Sequence, residues 1–174
     1  MNIALIGYRA TGKTTVAKLL AQRLPGWNCF DADVEIEKAA GQTIAEIFRD
    51  FGEDVFRDWE ARVTAQLLTG DNTIIATGGG VVIRPENRVL LKKNAFVVWL
   101  KAMPETIYQR MYSDQTTASR RPALTQSAPQ EEIVRLLELR TPWYEQTAHA
   151  ALDTENCPPE EIARKILLLA GIKS

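Results

Sequence analysis

Short apolar runs alternate along this chain with longer segments in which apolar residues recur at helical spacing. That alternation is the signature of a parallel sheet covered by helices, an α/β fold. Ile3–Ile6, Trp27–Phe30, Thr73–Ala76 and Phe96–Leu100 read as strands, with Ala148–Leu152 a weaker addition. Thr14–Leu24 repeats Val16, Leu19, Leu20 and Leu24 at helical period. Thr43 followed by Glu46 forms a capping box that opens a helix through Ile47 and Phe51, and Gly52 is placed to end it. Glu53–Leu68, Gln130–Leu139 and Pro159–Leu169 also read as helices, the last with proline in its first turn. Only Tyr112–Pro129 lacks apolar periodicity; it is rich in Ser, Thr, Gln, Arg and Pro. A polar connection of that length is usually either functional or disordered, and a mobile lid over residues 112–126 is the functional version.

The length of 174 residues fits one domain, 1–174, with no linker that would divide it. The 21 basic and 22 acidic side chains nearly cancel, so no strong field invites nucleic acid or an anionic membrane. The longest apolar stretches, such as Ala95–Leu100, are too short to span a bilayer, and no cleavable leader is evident. Cys29 and Cys157 match no metal-ligand spacing and suggest no disulfide framework. A cytoplasmic protein is expected, with a monomer as the default, no nucleic-acid partner and no membrane partner.

Chemistry enters at Gly7-Tyr8-Arg9-Ala10-Thr11-Gly12-Lys13-Thr14, which fits the phosphate-loop pattern completely, after a predicted strand and before a predicted helix. Glycines let the backbone wrap phosphates, and the amides at the helix start point at the anion. Lys13 is expected to reach the β- and γ-phosphates of a nucleotide, and the Thr14 hydroxyl to coordinate Mg²⁺. Such a loop needs a carboxylate at another strand end. The strands ending before Thr77 and Lys101 supply none, whereas Asp31-Ala32-Asp33 supplies two. Asp31 and Asp33 are expected to face opposite sides, one toward the metal and the other toward the phosphate acceptor. A helix N-cap followed by a first-turn acid is the plain alternative.

Other phosphate-loop classes are excluded by what the chain lacks. The Asp-x-x-Gly and Asn-Lys-x-Asp motifs of switch GTPases are absent. Asp50-Phe51-Gly52 spells a protein-kinase motif but has no His-Arg-Asp partner, so it reads as a helix end. A small-molecule kinase remains. On its acceptor side, Arg57 and Glu60 sit three apart on one predicted helix, within pairing distance. Gly78-Gly79-Gly80 follows a strand at the sheet edge where α/β ligand sites form. Arg120, Arg121 and Arg140 are further cations in or near loops, and the sequence does not show that they converge. His149 is expected to be packed and not catalytic.

From Ile3 to about Ala170 the chain resembles the shikimate kinases. The phosphate loop, Asp31-Ala32-Asp33, Phe56-Arg57 with Glu60, Gly78-Gly79-Gly80, Arg121-Pro122, and Arg140 with Pro142 and Tyr144 occur in the family's order. Ile44-Ala45-Glu46-Ile47-Phe48 and Ile75-Ala76-Thr77 also look like the family. The resemblance implies a three-layer phosphate-loop kinase fold with a parallel sheet of order 2-3-1-4-5 and a mobile lid. It implies transfer of the γ-phosphate of ATP to the 3-hydroxyl of shikimate. Nucleotide and Mg²⁺ would be held by Gly7, Ala10, Thr11, Gly12, Lys13, Thr14, Thr15, Arg110 and Arg121, with Thr14 and Asp31 on the metal. Shikimate would be held by Asp33, Arg57, Arg140 and Gly78–Gly80, with Lys13, Asp33 and Arg121 catalytic. Trp143 and Glu155-Asn156-Cys157 depart from the commoner pattern of the family. The rivals are a kinase for another small polyol acid such as gluconate, and a non-catalytic nucleotide-binding regulator.

Overall fold

A computed structural model describes residues 1–113 and 129–172 of the chain. The strands β1 (Ile3–Ile6), β2 (Asn28–Asp31), β3 (Thr73–Ala76), β4 (Phe96–Lys101) and β5 (Ala150–Asp153) form one sheet of order β2-β3-β1-β4-β5. Every pairing is parallel, with Ile3 opposite both Ile74 and Phe96 on the two sides of β1. The helices are α1 (Lys13–Arg23), α2 (Ala32–Ala40), α3 (Ile44–Leu67), α4 (Pro85–Asn94), α5 (Pro104–Ser113), α6 (Pro129–Thr147) and α7 (Pro159–Leu169).

The central strand shows why both faces are covered. Ile3, Ala4, Leu5 and Ile6 are all fully buried, yet successive side chains point to opposite faces. Ile3 and Leu5 pack with Val16 and Leu20 of α1 and with Ile162 and Ile166 of α7. Ala4 and Ile6 pack on the other side with Leu91 of α4 and Tyr144 of α6. Each fully buried aliphatic side chain contributes about 1.5–3 kcal/mol by removal from water, so the apolar runs of β1, β3 and β4 form the centre of both layers.

Several expectations are refined. Helices α2, α4 and α5 carry few buried apolar positions: Ala32 and Ile36 in α2, Leu91 in α4, Ile107 in α5. One or two apolar contacts leave little periodicity to read. The helix expected to stop at Leu139 runs on to Thr147, past Pro142, because Tyr144 is fully buried beneath it and anchors the last turns. Gly52 takes φ 83° and breaks α3 into two helical halves, so Asp50-Phe51-Gly52 is a helix end. The capping box at Thr43 and Glu46 is present. His149 accepts the Val97 amide on Nδ1 and stacks on Phe96, but it stands exposed just before β5, so the expected packing within a strand is not found. The start of the expected lid, Tyr112-Ser113, belongs to α5, and the remainder of 112–126 lies outside the described residues. Among the described residues no helix is long and apolar enough to cross a membrane.

Candidate active site at the carboxyl edge of the sheet

The phosphate loop leaves β1 and enters α1 in the backbone geometry of an anion nest. Ala10 has φ 61° and Gly12 has φ 90°, and α1 starts at Lys13 without a side-chain cap on its first amides. Uncapped amides at a helix start carry the positive end of the helix dipole toward whatever anion sits there. The Lys13 Nζ donates to the Gly7 and Tyr8 carbonyls at 2.9 and 2.6 Å, so the ammonium lies inside the loop it serves. The Thr11 hydroxyl donates to the Tyr8 carbonyl at 2.8 Å and stiffens the turn.

Asp31 and Asp33 reach the same cleft, although not as strand alternation would place them. On a strand, residues two apart share a face, so divergence could not come from β2. It comes from the change of element: Asp31 ends β2 and caps α2, with its Oδ1 accepting the Asp33 amide at 3.1 Å, and Asp33 stands in the first helical turn. The other oxygen of Asp31 accepts the Thr14 hydroxyl at 2.7 Å. The cap-and-acid alternative is therefore the local geometry, and it brings both carboxylates to the cleft.

That cleft encloses about 550 Å³ and is lined by Arg9 to Val16, Asp31, Asp33, Thr77 to Gly79 and, at its far end, Arg110, Thr154 and Cys157. Ala10, Thr11, Gly12, Thr14 and Thr15 line it, whereas Gly7 is not among its lining residues and is tied to the site by the Lys13 bond to its carbonyl. Arg110 projects from α5 and donates to the Thr154 hydroxyl and carbonyl, each at 3.2 Å, which fixes its guanidinium against the cleft wall formed by Thr154. Arg121 and Arg120 lie outside the described residues.

Arg57 and Arg140 converge on the glycine loop that walls the cleft. Arg57, 6% exposed, pairs with Glu60 at 2.7 Å and Glu53 at 2.9 Å. Its guanidinium lies flat on Gly80, where an added Cβ would stand 2.6 Å from Cζ. Arg140, 5% exposed, donates to the Gly79 carbonyl at 3.4 Å, and its buried Nε has no hydrogen-bond partner among the described residues. The Tyr144 hydroxyl donates to the same carbonyl. Burial pushes the pKa of that hydroxyl far up, so it remains a donor at any physiological pH. Glu53 and Glu60 balance the two arginines in formal charge, and it is the forked guanidinium donors of Arg57 and Arg140, gathered at one wall, that suit it to an anionic ligand.

Glu53 and Tyr144 were not singled out as site partners from the sequence. The four-residue spacing of Glu53 and Arg57 was the available signal for the first. Tyr144 stood beside Arg140 and Pro142, but nothing local shows that its hydroxyl reaches back to Gly79. Because Gly80 leaves room for Arg57, Gly80→Ala is expected to fold yet displace that guanidinium from its pocket. Binding of an anionic acceptor should weaken by about 1–3 kcal/mol, the cost of a mispaired buried polar group, while nucleotide binding holds. Isothermal calorimetry with each ligand checks this.

Comparison with known proteins decides between the remaining kinase classes. The family model described as shikimate kinase matches residues 9–170. The chain belongs to the shikimate kinase family. Its reaction is the ATP-dependent phosphorylation of shikimate. The shikimate kinase of Thermodesulfovibrio yellowstonii is 46% identical over 95% of this chain and 92% of its own length. That of Symbiobacterium thermophilum is 42% identical over 96% and 94%. Among solved structures, a shikimate kinase from Acinetobacter baumannii in complex with shikimate superposes with a TM-score of 0.90 at 38% identity, covering 97% of this chain and 92% of that one. The sheet order expected from the family resemblance is the order found.

Proposed function

We propose that this shikimate kinase holds the carboxylate of shikimate between Arg57 and Arg140, against Gly79 and Gly80, and presents the 3-hydroxyl to Asp33. The observation that carries the reading is the convergence of two buried arginines on adjacent residues of one cleft wall, with the Arg140 Nε unpartnered among the described residues. Arginine's forked donors match a carboxylate, and a buried donor without a partner is costly unless a ligand supplies one.

At the opposite end, the phosphates of ATP are taken by Lys13 and the amides from Ala10 to Thr15, and the base lies toward Arg110. Thr14 and Asp31 fit a magnesium ion: both are hard oxygen donors, their oxygens are 2.7 Å apart, and one or two protein oxygens suffice beside substrate phosphates. Bound there, the ion would neutralise charge on the phosphate oxygens. The chain's own residues do the rest. Lys13 stabilises the transferring phosphoryl group, Asp33 takes the hydroxyl proton late, and the clamp holds the nucleophile in line. The family resemblance supports Arg121 as a second cation over the phosphates and 112–126 as a lid that excludes water. A cytoplasmic monomer is part of the same reading.

Arg140→Ala tests the clamp. Truncating one member of a buried charge pair costs about 2–5 kcal/mol, so shikimate affinity should fall by roughly thirtyfold or more while ATP affinity holds. Equal weakening of both ligands in calorimetry would move Arg140 out of the acceptor site.

A further inference from the structure

The phosphate loop and the acceptor arginine are joined by a feature that the reaction itself does not require. Arg9, inside the loop, pairs with Glu132 at 2.9 Å across 123 residues of chain, with side chains only 14% and 4% exposed. Taking two charges out of water is expensive, and a well-packed apolar pair of the same volume often serves stability as well or better. Stability alone is a poor reason for this pair. Its placement offers another.

On α6, Glu132, Leu136, Arg140 and Tyr144 are all buried and follow one another at four-residue spacing, so they form one slowly turning stripe. The front of the stripe meets the phosphate loop, through Glu132 on Arg9 and Leu136 packed in one cluster with Tyr8. The rear meets the glycine loop, through Arg140 and Tyr144 on the Gly79 carbonyl. The Tyr8 ring lies between, with the Arg9 guanidinium 5.7 Å and the Arg140 guanidinium 5.8 Å from its centroid. Gly79 closes the triangle, since a Cβ there would stand 3.2 Å from the Arg9 amide nitrogen. Phosphate loop, glycine loop and α6 thus fix one another at three contacts. Between Glu132 and Arg140 the helix is a rod of about 12 Å.

We propose that the Arg9–Glu132 ion pair is a positioning device for phosphoryl transfer: it pins α6 to the phosphate loop and thereby sets where Arg140 holds the acceptor relative to the transferring phosphate. Glu132 does not line the cleft, so it acts through Arg9 and α6 and is a positioning residue. A displacement of about 1 Å between reacting groups is enough to cost up to about 10²-fold in rate. The proposal rests on the reading that Arg140 grips the shikimate carboxylate.

The test uses the full chain with Glu132→Ala, the double variant Arg9→Met with Glu132→Met, and Arg140→Ala beside them. Each is measured for kcat and KM with shikimate, for ATP affinity by calorimetry, and for melting temperature. Glu132→Ala is expected to lower kcat/KM for shikimate by about tenfold or more, with ATP affinity unchanged, and Glu132→Gln, which still accepts the Arg9 hydrogen bond, should recover much of the loss. The double variant should keep or raise the melting temperature, as apolar replacements of buried pairs do, and still show the kinetic loss. A double variant with wild-type kcat/KM overturns the proposal, and it decides the matter if Glu132→Ala does not fold. Equal losses of ATP and shikimate affinity in Glu132→Ala also overturn it. If Arg140→Ala leaves shikimate binding intact, the clamp reading has failed; if only the Glu132 variants are silent, the clamp stands and the positioning role falls.

Discussion

Asp33→Asn is expected to lower turnover by about 10²–10⁴, the usual range for loss of a general base, while leaving ATP affinity nearly normal. An amide has almost the same shape and still bonds a hydroxyl, but it cannot take the proton. The structure separates the two acids that share this corner. Asp31 is engaged with Thr14 at 2.7 Å and with the start of α2, on the phosphate-loop side. Asp33 lines the cleft one helical step further on. Steady-state kinetics with calorimetry of Mg·ATP checks the outcome. A fall below tenfold would reduce Asp33 to an orienting role, as a loose transition state permits. Collapse of Mg·ATP binding would show that Asp31 and Asp33 have exchanged parts.

Removing the Lys13 ammonium is expected to cost about 2.7–4 kcal/mol of transition-state stabilisation, or about 10²–10³ in rate. Lys13 is only 8% exposed, and its ammonium binds two carbonyls of its own loop. Alanine would remove those bonds and the buried stem together. Lys13→Met keeps the stem and is the cleaner variant. It should melt close to the wild type and turn over at the reduced rate. Near wild-type turnover in a folded Lys13→Met would remove Lys13 from the chemistry.

What could be read from the sequence follows the range of the forces involved. The strands β1, β3 and β4 and the helices α1 and α7 were legible because each buries an apolar run or stripe, whereas the edge strands β2 and β5 are only partly covered and gave weaker signals. Helix α2 was not, since its start is fixed by the Asp31 cap and only Ala32 and Ile36 are buried. The full length of α6 was hidden by Pro142, a local helix breaker overruled by the burial of Tyr144. At the site, the phosphate loop and the i, i+3 pairing of Arg57 with Glu60 are local and were visible. Contacts that span the chain, Arg9 to Glu132 and Tyr144 to Gly79, leave no local pattern and needed the fold. The convergence of Arg57 and Arg140 belongs to the same class: residue type suggested an anion site, and only the packing of α3 and α6 against one glycine loop brings them together.

The central claim is that one cleft holds ATP at the phosphate loop and the carboxylate of shikimate at Arg57 and Arg140. It is tested most directly by coupled ADP release with shikimate, with shikimate carboxamide and with no acceptor, the product position being read by phosphorus NMR. ADP release should depend on shikimate, yield the 3-phosphate, and show a kcat/KM reduced by about 10²-fold or more for the carboxamide, which the two arginines cannot grip as an anion. Equal kcat/KM for acid and carboxamide, or ADP release that ignores the acceptor, would contradict it.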